Sequence, residues 1–575
     1  MPEETNQTWD AWLPRLLKRL RLREHQIFLA LTIIIGLVAG LSAVLFHLAI
    51  NSLNLQLFGL EPSTARLILV PTLVSLVAGF LLVRYFQQAR GSGVPQTEAA
   101  FHLHEGVIRA RTKVGKFITG VLCIGAGHSL GREGPSVQIG AGLASMMGRW
   151  LHLSPTSVKN LVPVGAAAAL SAAFNTPIAA VLFALEEIVG DMNARVIGST
   201  VLASVSAVVV SRSILGNEPL FRVPDYALVH PAELLAYAVL GLVGGAVSVL
   251  FCKGLLWARA FFRRLPRWSL SFQPALGGLG LGVILMFVPE VMGVGYEYVD
   301  GALNGRLLLG TLILLGAVKA VATIVSYASG NAGGIFAPSL FIGAMLGGAT
   351  GTLVQDFGWF ASPTGDPGAY ALVGMGALFA GIIRAPMTSV FMIFELTQDY
   401  EIVVPLMIAN MISFAISRRY QRAPVYHALL HQDGIHLPSP EHRVMVGRWR
   451  VGEMMNREIK SLPHDSTVAA AWNLVEQWPG ECFPVREGER LAGLVTRETL
   501  EKAWAESDAE QPLAALVARD GWAHVHPDQP LELALERLSQ TPGLLPVVSR
   551  SDDRRLEGVI TLEDVLKAFH YTRRL

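Results

Sequence analysis

The sequence contains little charge and few cysteines. Of its 575 residues, 16% are charged, against about 25% in soluble domains, so the composition excludes an ordinary soluble protein. The net charge of +1 gives no indication of a nucleic-acid partner. The cysteines Cys123, Cys252 and Cys482 are scattered, which excludes a disulfide framework and a metal-ligand pattern. Two of them lie in apolar segments, where a buried thiol is expected. The phosphate-loop pattern G-x-x-x-x-G-K-[ST] is absent, so a pump driven by ATP hydrolysis has no support.

Apolar residues are abundant instead, at 52% of the chain with a mean hydropathy of +0.44. Apolar segments follow one another from about residue 26 to 417, and several, such as 234–251 and 307–325, are long enough to span a bilayer. The first, 27–50, is too long for a signal peptide, so we predict no cleavable leader. Basic residues before it (15–24) and after the last segment (417–422) place both ends of the membrane part in the cytoplasm.

Two pairs of glycine- and proline-interrupted segments repeat. GREGPSVQIGA (131–141) aligns with GIFAPSLFIGA (334–344), and residues 165–187 align with 374–396, which pairs Glu186 with Glu395. Interrupted helices at membrane depth are tolerated where they line a cavity or are buried in protein. Matching interruptions in two halves therefore indicate a transporter-like site where the repeats meet.

Three turns share the chemistry of an anion site: GSGVP (91–95), GREGP (131–135) and GIFAP (334–338). Each supplies glycines and then a proline suited to the first turn of a helix, whose free N–H groups and partial positive charge bind anions. Such turns can hold a small anion without a full positive charge, and Ser92 adds a hydroxyl donor. The residues expected to line this path are Gly91, Gly93, Gly131, Arg132, Gly134 and Gly334.

Glu133 then has a functional interpretation. Its carboxylate can occupy an anion site, accept the same N–H hydrogen bonds and block the path until protonation releases it, which would couple anions to protons. The alternative is a carboxylate paired with Arg132 in a buried turn. Lys116 could add a long-range positive potential, or could extend to the solvated interface.

The chain resembles the CLC family of chloride channels and proton/chloride antiporters over residues 25–430. The resemblance rests on GSGVP, GREGP and GIFAP in this order and on Tyr426 in RAPVYHALL (422–430). It implies a homodimer with one pore per subunit and many tilted helices in two inverted halves. It also implies central chloride ligands and an outer gating glutamate. Those residues are Ser92, Tyr426, the N–H groups of Ile335 and Phe336, and Glu133.

Glu187, the second acid of LFALEE (182–187), matches the cytoplasmic-side proton glutamate of the family's antiporters. Together with Glu133 it favours exchange of chloride for protons. The alternatives are a passive channel, or a Glu187 that is exposed at the interface and transfers no proton. By the same resemblance, Ser92 favours chloride over nitrate.

The tail after about residue 440 repeats internally and resembles a pair of CBS domains. GLVTRETLEKAW (493–504) matches GVITLEDVLKAF (558–569), and each copy predicts a strand, a turn, a strand and a helix. In that fold a threonine and an aspartate three residues later contact ribose. Thr561 and Asp564 fit, whereas Thr496 is followed by Thr499. The tail therefore either binds an adenine nucleotide or is a structural, dimerising module.

Two further alternatives stay open. GHSLG (127–131) matches the G-x-S-x-G pattern of serine hydrolases, although an apolar helix rather than a strand is expected before it. CBS pairs also accompany magnesium transporters, although helix N-termini suit anions better than cations.

These observations predict an all-α polytopic membrane protein followed by an α/β CBS pair, with no metal and no required cofactor. We expect a chloride/proton antiporter, not an enzyme, in a bacterial inner membrane. Its partners would be chloride, protons, the lipid bilayer and a second copy of the chain. The expected parts are an N-terminal segment (1–25), a transport domain (26–430), a linker (431–445) and a CBS pair (446–575, divided at 508/509).

Overall fold

The computed structural model divides into two units, residues Met1–Leu437 and Pro438–Leu575. The basic stretch 15–23 and most of the expected linker lie outside the described residues. The structure describes residues 24–59, 61–192, 196–217, 220, 221, 223, 231–357, 366–435, 437, 449–478, 480–488, 490–506, 509–517, 522–538, 541 and 543–565.

The first unit, called the membrane unit below, is helical throughout its described residues. A π-helical segment, Ala184–Val189, follows α7 directly, and single 3-10 turns lie after α2, α9 and α10. The α-helices are α1 (Glu24–Phe58), α2 (Thr64–Arg84), α3 (Val94–Leu103), α4 (Ala110–Gly125), α5 (Glu133–Trp150), α6 (Pro155–Phe174), α7 (Pro177–Phe183), α8 (Ile197–Leu215), α9 (Glu233–Arg264), α10 (Gln273–Phe287), α11 (Tyr296–Leu303), α12 (Leu309–Ala328), α13 (Phe336–Asp356), α14 (Pro367–Ile383), α15 (Pro386–Thr397), α16 (Val403–Tyr420) and α17 (Val425–Gln432).

Seven of the described helices are long and apolar enough to cross a membrane, and α10, α14 and α15 are shorter apolar helices. Large apolar side chains remain exposed on the outside of this unit, among them Val209, Leu235 and Leu250. Such surfaces suit lipid rather than water. The prediction of a polytopic helical membrane protein is confirmed.

The internal repeat extends over whole helices, since α1–α8 correspond in order to α9–α16. The closest packing within each half involves equivalent helices, α5 against α6 and α13 against α14. Glycines lie at both crossings, because a Cβ on Gly140 or Gly165 would lie 2.3 Å from the other's carbonyl oxygen. Gly343 and Gly374 meet in the same way. Small residues permit such close helix approach in membranes.

The two halves also exchange hydrogen bonds through the repeated glutamates. Glu186, on the π-helical segment, accepts from the N–H groups of Met387 and Thr388 at 3.4 and 2.9 Å. Glu395 on α15 accepts from Ile178 and Ala179 at 3.0 and 2.7 Å. Each glutamate therefore caps the helix N-terminus of the opposite half, where a carboxylate is favoured.

The second unit contains one five-stranded sheet in the order β1-β2-β3-β5-β4. The strand–turn–strand–helix arrangement predicted for each copy is confirmed, with a helix starting at residue 562 after the last strand. Each copy in the second unit has its own apolar cluster. One surrounds Phe483 and Val485 in the first copy, and the other surrounds Leu545 and Val547 in the second copy. The elements are α18 (Val451–Met454), β1 (Leu462–Pro463), α19 (Val468–Val475), β2 (Cys482–Glu487), β3 (Arg490–Thr496), α20 (Arg497–Ala505), α21 (Leu531–Leu538), β4 (Leu544–Ser549) and β5 (Asp552–Thr561).

All three cysteines are free and buried. In the second unit, burial raises the pKa of the Cys482 thiol to about 11, so the thiolate is scarce at neutral pH. The chain thus uses cysteine as a small apolar residue, in agreement with its spacing in the sequence.

Candidate functional site

The three glycine-containing turns meet inside the membrane unit. Gly131 and Gly334 exchange backbone hydrogen bonds of 2.8 and 2.7 Å, which joins the N-terminal ends of α5 and α13. The turn before α3 packs against them, since a Cβ on Gly134 would lie 2.4 Å from Ser92 Oγ. Three helix N-termini, from turns that are far apart in sequence, therefore surround one buried place.

The N–H groups in the first turn of α13 have no partner within the helix, as at every helix start, and so are available to an anion. Ile335 is the N-cap residue and Phe336 the first residue of the helix, and both are buried. The Phe336 ring is fixed among aromatic neighbours, with centroids 5.0 Å from Phe174 and 4.4 Å from Phe379. This packing holds the helix start in one position.

Ser92 and Tyr426 place two hydroxyl groups at this junction. Both side chains are fully buried, and neither hydroxyl makes a hydrogen bond to the described residues. The two groups are neighbours that fall short of a well-aligned hydrogen bond with each other. Buried hydroxyls normally have partners, so this pair is suited to a ligand that accepts from both. A chloride ion is such an acceptor.

The Glu133 carboxylate lies between the starts of α5 and α13. A Cβ on Gly131 would lie 1.9 Å from Glu133 Oε2 and 3.2 Å from the Ala337 nitrogen, so the carboxylate folds back over the glycine towards α13. Tyr296 Oη donates to Glu133 Oε1 over 3.5 Å. The side chain is 1% exposed. It therefore occupies a position suited to an anion.

Arg132 does not pair with Glu133 in the described structure, contrary to the alternative considered above. Its guanidinium bonds His47 through Nη1 and donates from Nη2 to the Ala173 carbonyl at 3.0 Å. Among the described residues, Glu133 thus forms no direct ion pair.

Lys116 is fully buried, so the alternative that it extends to the solvated interface does not hold. Its Nζ donates to the Gly91 carbonyl at 2.8 Å, directly behind Ser92. Lys319 stands fifteen residues before Gly334, as Lys116 stands fifteen before Gly131. It too is fully buried, and it donates to Gly293 O at 2.6 Å. The repeat places one buried lysine behind a glycine turn in each half.

Sequence reasoning missed Tyr296, Lys319 and Gln96. Gln96 caps the α3 start by accepting from Gly93 N at 2.9 Å and donating to Arg90 O at 3.1 Å. Tyr296 begins α11 after Gly293 and Gly295, which mirror the Gly-x-Gly of GSGVP. That glycine spacing was the signal that could have found it.

A cavity of about 650 Å³ reaches the turn that carries Ser92. Gly91 and Tyr327 form part of its wall. The described charged side chains in the wall are mostly arginines, and Asp433 is the acidic one. Asp433 bonds Arg259 at 2.7 Å, so the first residues of the expected linker pack on the membrane unit. A cationic cleft concentrates anions. The arginines that line the cavity are Arg90, Arg109, Arg259 and Arg263.

Glu187 lies elsewhere, on the π-helical segment, and is not part of the described wall of that cavity. It is buried at 9% exposure, so the alternative of an interface-exposed acid does not hold. Its Oε1 makes no hydrogen bond within the described structure. Its carboxylate interacts electrostatically with Glu98, Glu186 and Arg384.

In the second unit the predicted nucleotide residues cap helices. Thr561 Oγ1 donates to Asp564 Oδ2 at 2.7 Å, and Asp564 N donates to Thr561 Oγ1 at 3.3 Å. Thr496 caps α20 by accepting from Thr499 N at 3.2 Å. The pattern thus has a structural use in both copies, whether or not a nucleotide binds.

The hydrolase alternative does not fit the geometry. Ser129 Oγ lies 3.1 Å from Thr323 Oγ1, and His128 bonds Ser75 instead, at 2.6 Å. Helix α4, not a strand, precedes the turn. The arrangement contains no base positioned for Ser129 within the described residues.

Comparison with known proteins gives the same picture. The family model described as "Voltage gated chloride channel" matches residues 73–418, and the CBS domain model matches 451–506 and 517–571. A "Putative chloride channel protein ClcB-like" of Ralstonia nicotianae is 34% identical over 71% of this chain and 99% of its own length. The "H(+)/Cl(-) exchange transporter ClcA" of Vibrio cholerae serotype O1 is 30% identical over 70% of this chain and 89% of its own.

Solved structures agree with the fold. The chain is similar to a slow cyanobacterial Cl−/H+ antiporter, with a TM-score of 0.66, 28% identity, and coverage of 71% of this chain and 97% of that one. A eukaryotic CLC transporter, 20% identical with a TM-score of 0.65, covers 96% of this chain and 98% of its own, and shows the fold alone. With a family model over more than half of its length, the chain belongs to the voltage gated chloride channel family, the CLC family, and carries two C-terminal CBS domains.

Proposed function

We propose that the chain exchanges chloride for protons across a membrane, as a secondary transporter rather than an enzyme. The observation that carries the proposal is the position of Glu133, a buried carboxylate held over Gly131 between the starts of α5 and α13. A carboxylate and a chloride ion compete for the same N–H groups, and only the carboxylate can be removed by a proton. A related protein named as an H+/Cl− exchange transporter and a similar solved structure named as a Cl−/H+ antiporter support this function.

The proposed anion path runs from the arginine-lined cavity to the hydroxyls of Ser92 and Tyr426. It continues past the N–H groups of Ile335 and Phe336 to Glu133. Because no lysine or arginine side chain contacts the anion directly in this arrangement, binding stays weak enough for release. Protonation of Glu133 from outside frees its place for chloride, and deprotonation closes the path again.

The proposed proton path leaves Glu133 on the cytoplasmic side by way of Glu187. In this proposal the stretch between the two acids is largely apolar, and transient water conducts the proton through it. Since Glu187 does not line the described anion cavity, protons and chloride would use different inner entrances and share the outer one.

The test is a flux measurement on the full chain in chloride-loaded liposomes. With the membrane potential clamped and a chloride gradient imposed, external pH is recorded. Proton movement against its own gradient is the expected result. Chloride flux without protons would mean a passive channel, the second function the family contains.

Two variants assign the roles. Glu133→Ala should keep chloride flux and lose proton coupling, because the protonatable plug is gone. Glu187→Gln should lose proton flux while chloride still moves. Surviving coupled proton movement in either variant would contradict the role given to that residue. Glu401→Gln, an exposed acid on the same unit, is the control.

For the whole protein we propose a homodimer in a bacterial inner membrane with both termini in the cytoplasm. The basic residues 15–23 and 417–422 support that orientation. Reporter fusions at either terminus should be active only on the cytoplasmic side. The molar mass of the protein in detergent, measured by light scattering, tests the dimer.

CBS domains commonly bind adenine nucleotides, and we propose a site in the second copy at Thr561 and Asp564. The first copy contributes less, since Thr499 replaces the acid there. ATP or AMP should raise the unfolding temperature of wild type and not of Thr561→Ser/Asp564→Asn, which keeps a capping hydroxyl. Absence of a shift in wild type would leave the tail as a structural, dimerising module.

A further inference from the structure

A buried acid and a partly exposed histidine meet where α3 packs against α17. Glu98 on α3 is 2% exposed, and its Oε1 lies 2.6 Å from Nε2 of His427 on α17. The histidine side chain is 19% exposed. A short hydrogen bond therefore connects a buried carboxylate to a ring that reaches the surface.

Helix α3 separates this pair from the anion cavity. Gln96, Ala99 and Ala100 line the cavity, as residues spaced by three and four on one helix face should. Glu98 lies two residues after Gln96 and so on a different face. There α3 packs against α17 and against the π-helical segment that carries Glu187.

Glu187 interacts electrostatically with three charged neighbours. Glu186 caps α15, bonding both N–H and Oγ1 of Thr388, and Arg384 donates to the Ser417 carbonyl at 3.0 Å. Glu98 differs from these two, because it bonds the imidazole of His427, a side chain that reaches the surface. Two neighbouring buried carboxylates repel when both are ionised, so one proton is readily shared between them.

We propose that His427 and Glu98 form the cytoplasmic proton relay that supplies Glu187, an inference that rests on the proposed chloride/proton exchange. The imidazolium of His427 gives its Nε2 proton to Glu98 Oε1 along their hydrogen bond, leaving neutral imidazole and a carboxylic acid. That acid passes its proton to the Glu187 carboxylate, directly or through one water, and returns to a carboxylate. His427 regains a proton from the cytoplasmic solution. When protons move in the opposite direction, from Glu187 to the cytoplasm, the same steps run in reverse.

A purely structural role predicts a different outcome. Glu98 and His427 also join α3, which starts after Ser92, to α17, which carries Tyr426. A purely structural link between these helices, called a strap below, would need only the hydrogen bond. Glu98→Gln keeps the size of the side chain and a polar partner for His427, but it cannot carry a proton. This substitution therefore separates relay from strap.

The experiment uses full-length protein in liposomes, with chloride efflux and proton uptake recorded from the same preparation. Wild type is measured first. We expect Glu98→Gln and His427→Gln to lower the proton flux by about a hundredfold, the smaller end of what positioned proton transfer contributes, while chloride efflux stays near wild type. His152→Gln is the matched control, since His152 is exposed and does not line the anion cavity, so the proton-to-chloride ratio should stay unchanged.

The outcomes separate the two proposals. A wild-type protein that moves chloride without protons overturns the exchange function and the relay with it. A coupled wild type with an unchanged ratio in Glu98→Gln overturns the relay alone. Chloride and proton fluxes that fall together in both variants, at constant ratio, identify a structural strap and also overturn it.

Discussion

Gly131 determines where the Glu133 side chain can lie. The carboxylate occupies the volume that a Cβ at residue 131 would need, 1.9 Å from Oε2. Because this glycine also exchanges backbone hydrogen bonds with Gly334, it holds the two helix starts together while leaving room for the Glu133 carboxylate. The position of the Glu133 carboxylate therefore depends on the absence of a side chain at Gly131.

Gly131→Ala should displace the Glu133 carboxylate from its place between α5 and α13. We expect uncoupled chloride flux to rise towards that of Glu133→Ala, since the added methyl group and the carboxylate cannot occupy the same space. Liposome chloride efflux and the proton-to-chloride ratio measure the effect.

Gly334→Ala is the matched control for that change. A Cβ at Gly334 would lie 3.2 and 3.3 Å from backbone atoms of Gly134 and Gly131, so it is crowded far less than one at Gly131 and does not overlap the carboxylate. If Gly131→Ala keeps full coupling, or if both alanines behave alike, the carboxylate does not depend on the space at residue 131.

At the residue scale, the sequence indicated those candidate site residues that stand in or beside a recognisable local motif. Ser92, Glu133 and Phe336 stand in or beside glycine–proline turns, whose chemistry can be read without a fold. The hydrogen bonds of Tyr296 to Glu133 and of His427 to Glu98 join residues 163 and 329 positions apart. No local pattern encodes such pairs, so only the packed helices revealed them.

The reciprocal glutamate caps act at the scale of whole elements. Glu186 and Glu395 each bind the first N–H groups of a short helix in the opposite half, so that α7 and α15 are fixed against each other. The aligned glutamates in the sequence predicted that they are equivalent. They did not predict that each caps the other's helix, because that exchange follows from the two-fold arrangement of the halves.

Glu395→Gln should destabilise the membrane unit by about 1 kcal/mol, since a neutral amide loses the favourable interaction of a carboxylate with a helix N-terminus. Glu186→Gln should have a similar effect, because it occupies the equivalent position. The temperature of half-inactivation in detergent is the measurement. Unchanged stability in both variants, with exposed Glu401→Gln as reference, would show that the caps contribute nothing measurable.

Element lengths were less predictable than element identities. The apolar stretch 27–50 lies inside α1, which runs Glu24–Phe58, because polar residues continue a helix once its apolar face is packed. The π-helical turn at Ala184–Val189 had no signal in composition or spacing. It shifts the helix register next to Glu187, at the place where the proposed proton path begins.

At the scale of the whole molecule, the chain consists of two units with separate apolar cores. Every residue proposed to contact chloride or carry a proton lies before residue 437. The CBS unit has its own sheet, and its threonines are engaged in helix caps. We therefore assign selectivity and coupling to the first unit, and we predict a role in regulation or assembly for the second.

Deletion of residues 444–575 should accordingly leave the preference for chloride over nitrate unchanged, because Ser92, Tyr426 and the helix starts around Glu133 all remain. Expression, dimer content or the response to added adenine nucleotide should change instead. Efflux of the two anions from matched liposomes measures the preference, and light scattering in detergent measures assembly. The full chain with Thr561→Ser/Asp564→Asn separates loss of nucleotide binding from loss of the whole unit. A shifted chloride-to-nitrate ratio in the truncated chain would show that the second unit shapes the anion site, and would contradict this division.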